Sequence, residues 1–140
     1  MTTINKLSGL GGSVVCGDSS NSANTITEDI TNWTLSTPRA EQDVTGVGKS
    51  ANERILLLAD CSVTLNGVFD DGAGLAHVTF ATIPSTSEVR TLVLTPTTDD
   101  PYISVNVLLT DYQLTRAATG ELTFQVPGSL ADGTVPQWET

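Results

Sequence analysis

Cys61-Ser62-Val63-Thr64-Leu65-Asn66-Gly67-Val68-Phe69 decides the fold class. Cys61, Val63, Leu65 and Phe69 fall on one face of an extended chain, and Ser62, Thr64 and Asn66 fall on the other. Successive side chains of a strand point to opposite faces, so this period of two describes a strand with one buried and one wet face. Gly67 interrupts the apolar series where a bulge is expected. Asp70-Asp71-Gly72 then ends the strand.

The same rhythm recurs on both sides. Ser13 to Cys16 reads as a short strand, followed by a polar loop from Gly17 to Asn24. From Thr31 to Thr37, Trp33 and Leu35 alternate with Asn32, Thr34 and Ser36, and Pro38 stops that strand. Val89 to Thr95 is almost all apolar or Thr, as a strand buried on both faces would be. Ile103, Val105, Val107 and Leu109 alternate with Ser104 and Asn106, and Tyr112 to Arg116 continues past a bulge. After the turn at Ala118-Thr119-Gly120, Leu122, Phe124 and Val126 alternate with Glu121, Thr123 and Gln125, completing a hairpin. Only Ala73 to Ile83 has another period. Leu75, Val78, Ala81 and Thr82 stand at helical spacing, Pro84 terminates the run, and Asp70 or Asp71 is placed to cap it.

Pro38 to Asn52 is polar and punctuated by Gly46, Gly48 and Ser50, so a long loop is expected there. Loops of this length inside compact domains are usually functional or disordered. These segments give a mostly β chain: a sandwich or barrel of about six or seven strands with one short flanking helix and a long polar loop. Residues 1–12 read as a flexible N-terminal arm, 13–126 as the β domain and 127–140 as a Gly/Pro-rich C-terminal arm carrying Trp138.

Composition narrows the function. The net charge of −10, from 16 acidic and 6 basic residues, repels a phosphate backbone, and affinity for nucleic acid comes largely from Lys and Arg. Tight DNA or RNA binding is therefore not expected. Cys16 and Cys61 have no CxxC spacing and, with one His, cannot complete a zinc site; they read as reduced, small apolar residues. The first residues lack the apolar core of a signal peptide, and the longest apolar run, Ile55 to Ala59, is too short to cross a bilayer. A protein made in the cytoplasm that does not enter membranes is expected.

Catalytic patterns are nearly absent. Gly17-Asp18-Ser19 is superficially like the nucleophile block of GDS-type hydrolases, but that chemistry needs a His in a late Asp-x-x-His element. The one His, His77, lies in the expected helix without a partner, so a polar turn is the better reading. Asp70-Asp71 and Asp99-Asp100 lack the spaced ligands of a calcium loop and read as caps and turns. Gly9-Leu10-Gly11-Gly12 does not link a strand to a helix, so it is no phosphate loop. No catalytic residue, cofactor or metal is expected.

Taken in order, these segments resemble the major tail protein (tail tube protein) of long-tailed bacteriophages. The resemblance rests on the Gly-rich start, Asn32-Trp33-Thr34-Leu35-Ser36, the polar Arg39-to-Glu53 loop, and Ser62 through Asp71 before a helix. The closing segment Tyr102 to Val126 and the tail with Trp138 complete it. The resemblance implies a β-sandwich forming hexameric rings that stack into a hollow tube, through which DNA leaves the capsid without specific binding. It implies a virion protein of the tail, assembled in the host cytoplasm, whose partners are copies of itself and other tail proteins at the tube ends. One sheet of each subunit would line the lumen, while Pro38 to Asn52 and the two arms would bridge neighbours. The charge of −10 then has two readings, an acidic lumen that repels phosphates or simple solubility, and both stand at this point.

Within that resemblance Arg39, Glu41, Asp43, Lys49, Glu53 and Arg54 are the candidates for polar inter-subunit contacts. A tail terminator, or another ring of an injection machine, is the nearest rival. A carbohydrate-binding sandwich is the next, and only Trp138, Tyr102 and Tyr112 would supply its sugar platform.

Overall fold

The computed structural model describes residues 7–98 and 101–139. In chain order the elements are β1 (Ser13–Gly17), β2 (Ala23–Thr25), a 3-10 turn (Thr27–Asp29), β3 (Ile30–Ser36), β4 (Arg39–Asp43), β5 (Arg54–Ala59) and β6 (Ser62–Val68). They continue with helix α1 (Ala76–Phe80), β7 (Arg90–Thr95), β8 (Tyr102–Leu109), β9 (Gln113–Arg116), β10 (Leu122–Leu130) and β11 (Trp138–Glu139). The mostly β class with one lone helix is as the sequence indicates, although the eleven described strands exceed the expected number. The excess lies in short pieces such as β2, β9 and β11, which carry too few alternations to register as a period.

Nine strands form one antiparallel sheet in the order β2-β1-β7-β8-β10-β6-β3, with β11 added to β8 and β9 added to β10. Its two halves meet where the end of β8 pairs with the end of β10, at Leu109↔Gly128, Leu108↔Ser129 and Val107↔Leu130. The rest of β10 turns to β6 and β9. A single core joins the halves: Val14, Cys16, Leu92, Leu94, Ile103, Val105 and Val107 from one, and Val63, Leu65, Phe124 and Val126 from the other. Phe80 of α1 completes an aromatic group with Phe124 and Tyr112, with ring centroids 5.6 and 5.8 Å away.

Gly67 is required by close approach. A Cβ there would stand 2.1 Å from the Asp29 carbonyl oxygen and 2.7 Å from Cζ of Phe124. The irregularity expected near it lies on its partner, between Ile30 and Asn32 of β3.

Three expectations are corrected. The helix spans Ala76–Phe80 only, because four of the residues from Val78 to Ile83 are β-branched and the chain turns before Pro84. Neither Asp70 nor Asp71 caps it; the Ala76 N–H donates instead to Oδ2 of buried Asp29 at 3.0 Å, a residue 47 positions earlier in the chain. Pro38 to Asn52 is not a loop throughout, since Arg39–Asp43 is a strand paired with Arg54–Ala59. As for the boundaries, residues 1–6, 99–100 and 140 lie outside the described residues, so half of the N-terminal arm and the Asp99-Asp100 pair do too. At the other end β10 runs to Leu130, and Trp138–Glu139 pairs with Tyr102–Ile103 of β8.

Candidate functional site

Among the described residues β4 and β5 pair with each other and with no other strand, so they leave the body as a separate hairpin. Arg39-Ala40-Glu41-Gln42-Asp43 has little intrinsic strand preference; the hydrogen-bond ladder offered by Arg54–Ala59 holds it extended. The tip is fastened by side chains. Oδ1 of Asp43 accepts from the Thr45 N–H at 2.9 Å and from the Thr45 hydroxyl, and the Glu53 N–H donates to Oγ1 of Thr45 at 2.7 Å. Those bonds, the hydroxyl first, hold the Asp43 carboxyl below its usual range.

All six charged candidates lie on this hairpin and are exposed. The structure pairs them with one another or with backbone: Arg54 with Glu41 at 3.6 Å, Lys49 with Glu53 at 3.8 Å, and Nε and Nη2 of Arg39 with the Leu57 carbonyl at 3.0 and 2.8 Å. Three are basic (Arg39, Lys49, Arg54) and three acidic (Glu41, Asp43, Glu53), so the hairpin is neutral and the whole net charge of −10 sits elsewhere.

The register divides the hairpin into two faces. Asp43 pairs with Arg54, Glu41 with Leu56 and Arg39 with Ala59, so these six side chains share one face. Gln42 and Ile55 share the other. Between Leu56 and Ala59 the strand β5 carries one extra residue, so Leu57 and Leu58 stand together opposite Ala40. Both leucines therefore point to the face of Ile55. The result is one face rich in charge and one made of Ile55, Leu57, Leu58 and Ala40. Leu58 is 90 % exposed, Ile55 48 % and Leu57 39 %. Sequence reasoning missed this face because the bulge that creates it appears only in the pairing register.

A second surface is the outer face of β3, β6, β10 and β9. Its rows are Asn32–Asn66–Gln125–Gln113, Thr34–Thr64–Pro127 and Ser36–Ser62–Ser129, with Val68, Thr123 and Thr115 at the far end. Nδ2 of Asn66 donates to Oδ1 of Asn32 at 2.8 Å. No charged side chain belongs to these rows. In β6 and β10 these residues alternate with core residues, so their polarity follows from the same period of two that buries Val63, Leu65, Phe124 and Val126.

The residues considered for chemistry are packing and turn elements. His77 lies against Phe69, centroids 4.7 Å apart, and its Nδ1 is 3.1 Å from the Tyr112 hydroxyl. Oδ1 of Asp18 accepts from the N–H groups of Ser20 and Ser22, which makes Gly17-Asp18-Ser19 part of a turn. Cys16 and Cys61 are buried free thiols, and burial pushes the Cys16 thiol up to about 12. Among the described residues no group of three or more His, Cys, Asp or Glu is placed to hold a metal ion. Among them, too, no helix is long and apolar enough to cross a membrane.

No family model and no curated protein matches the sequence. Solved structures do match the fold. A chain from the virion of a native gene transfer agent (GTA) particle superposes with a TM-score of 0.75 at 17 % identity, covering 96 % of this chain and 100 % of that one. This chain shares the fold of that virion chain. A chain from the tail of an empty GTA particle with C6 symmetry superposes with a TM-score of 0.73 at 18 % identity, again covering 96 % and 100 %. The shared fold thus extends over nearly the whole of both partners, which agrees with the resemblance read from the sequence.

Proposed function

We propose that this chain is a structural, non-catalytic virion protein that assembles into stacked hexameric rings, the tube through which a phage-like particle delivers DNA. The observation that carries the reading is the end-to-end fold match with a chain of a C6-symmetric tail. Physical features of this chain support it. Among the described residues the strands β2, β3, β9 and β11 each pair on one side only, and edge-to-edge joining in a ring covers such edges. The projecting hairpin exposes large apolar side chains that a solitary soluble domain normally buries. Head-to-tail contacts close into a ring when the rotation closes, and equal rings then stack.

The uncharged β3-β6-β10-β9 face suits a lumen. It offers no Lys or Arg to a phosphate backbone and therefore gains nothing from counterion release, so DNA passes without sticking. On this reading the acidic residues serve solubility rather than the channel wall. Other tail proteins would meet the tube at its ends, and assembly would take place in the host cytoplasm.

Negative-stain electron microscopy at high protein concentration, with elution volume from a sizing column, tests the proposal. Hollow tubes built of six-membered rings are expected. Single rings that never stack would favour the tail terminator, and a strict monomer at every concentration would refute self-assembly.

A further inference from the structure

We infer that the surface through which copies of this chain grip one another is the apolar face of the hairpin, Ile55, Leu57 and Leu58, and that its partner is the body of a second copy. The inference rests on the assembly reading and specifies its contact. The six charged residues are not the adhesive. Glu41 with Arg54 and Lys49 with Glu53 already have partners inside the hairpin, and exposed pairs of this kind contribute little to association.

The extra residue in β5 is the device. Without it Leu57 and Leu58 would point to opposite faces, and one would join the charged side. With it, two adjacent leucines stand on a single face beside Ile55, flanked only by Ala40 and Gln42. Interface cores are depleted of charge in this way, while rims are polar.

Charge selects a second copy as the occupant. The body of each copy carries the entire −10, so direct body-to-body contact is opposed by repulsion, whereas a neutral projecting hairpin makes the contact with less of that charge brought together. The hairpin is also detached from the core that stabilises the body, so it can seat on a neighbour without disturbing the fold.

The test uses the full chain with two double substitutions. Leu57→Asn with Leu58→Asn removes the apolar face; Glu41→Gln with Arg54→Gln removes the ion pair on the other. Assembly is followed by sedimentation and electron microscopy, and fold by thermal unfolding of the dilute monomer. The leucine variant is expected to melt with the wild type and to raise the critical concentration for rings and tubes at least about thirtyfold, since burying each leucine is worth on the order of tenfold or more. The charge variant is expected to stay within about threefold of wild type. A third variant, Leu57→Met with Leu58→Met, keeps the face apolar and should assemble. Wild-type assembly with an unaffected leucine variant overturns this contact and leaves the assembly reading standing. Failure of the wild type to form rings or tubes at all overturns that reading itself.

Discussion

Arg90 is the residue whose replacement should cost the body most for its size. It is 2 % exposed, and its Nη1 donates to the carbonyl oxygens of Thr79 and of Gly17, the latter at 3.4 Å, while Nη2 donates to Oγ1 of Thr82 at 2.9 Å. One guanidinium thereby ties the end of α1 and the turn after it to β1 and β7. Arg90→Met keeps the length and removes every donor. Two buried carbonyls would lose a partner at about 1–3 kcal/mol each, while the chain would be relieved of desolvating a guanidinium, a term of opposite sign and several kcal/mol. Three acceptors share the one charge, so the bonds should win, and a net loss of about 2–4 kcal/mol is expected. For a chain of this length that corresponds to a fall in Tm of roughly 8–15 °C. Urea unfolding at low protein concentration, where association adds nothing to stability, measures it by circular dichroism and by the fluorescence of half-buried Trp33. Arg90→Lys should recover less than half, because one ammonium cannot span both sides of the gap. If Arg90→Met is as stable as wild type, the desolvation cost equals the bonds and Arg90 is not a stabilising tie.

Asp29 and the hairpin tip are the next two places where a change should be felt. Asp29 has its carboxyl pushed above the ordinary 3.8, first by burial and then by Asp70, against the lowering effect of the Ala76 N–H. The folded state therefore holds this proton to higher pH than the unfolded chain, so stability is full below about pH 4 and falls as pH rises through the raised value. Asp29→Asn keeps an acceptor for Ala76 and cannot ionise; its Tm relative to wild type should be higher at pH 7 than at pH 4, and an equal difference at both pH values would refute the assignment. Deleting Thr45 to Ser50 removes the hairpin tip, including Lys49 and exposed Val47, without touching the core; tube formation should be lost with monomer melting unchanged, and tubes of normal length would show that the tip makes no contact.

The body was legible because its strands are wet on one side. β6, β8 and β10 each alternate strictly, and the core residues Val63, Leu65, Val105, Val107, Phe124 and Val126 are the ones that period picks out. The helix boundary was less legible, since Asp29 caps it through space and nothing in the local sequence reports a partner 47 residues away. The hairpin was misread for a different reason. Arg39–Asp43 is polar on both faces because neither face meets the body, so it carries no period at all. Ile55-Leu56-Leu57-Leu58 is apolar without alternation, which on sequence alone is indistinguishable from a buried strand. Charges drew attention to this segment, but the large apolar side chains it exposes are its leucines.

The sign of the salt dependence separates those two views of the hairpin. If Arg39, Lys49 and Arg54 held neighbouring copies by meeting an acidic body, added salt would screen the attraction and raise the critical concentration for assembly. If the apolar face holds them, the dominant electrostatic term is repulsion between bodies that each carry −10, and salt weakens only that repulsion. Raising ionic strength from about 0.1 M to about 1 M shortens the screening length from about 10 Å to about 3 Å, less than the width of a side-chain layer. The critical concentration should therefore fall several-fold over that range, with sodium sulfate acting more strongly than sodium chloride at equal ionic strength because it also strengthens apolar burial. A critical concentration that rises with either salt would return the contact to the charged residues and leave Leu57 and Leu58 without a role in assembly.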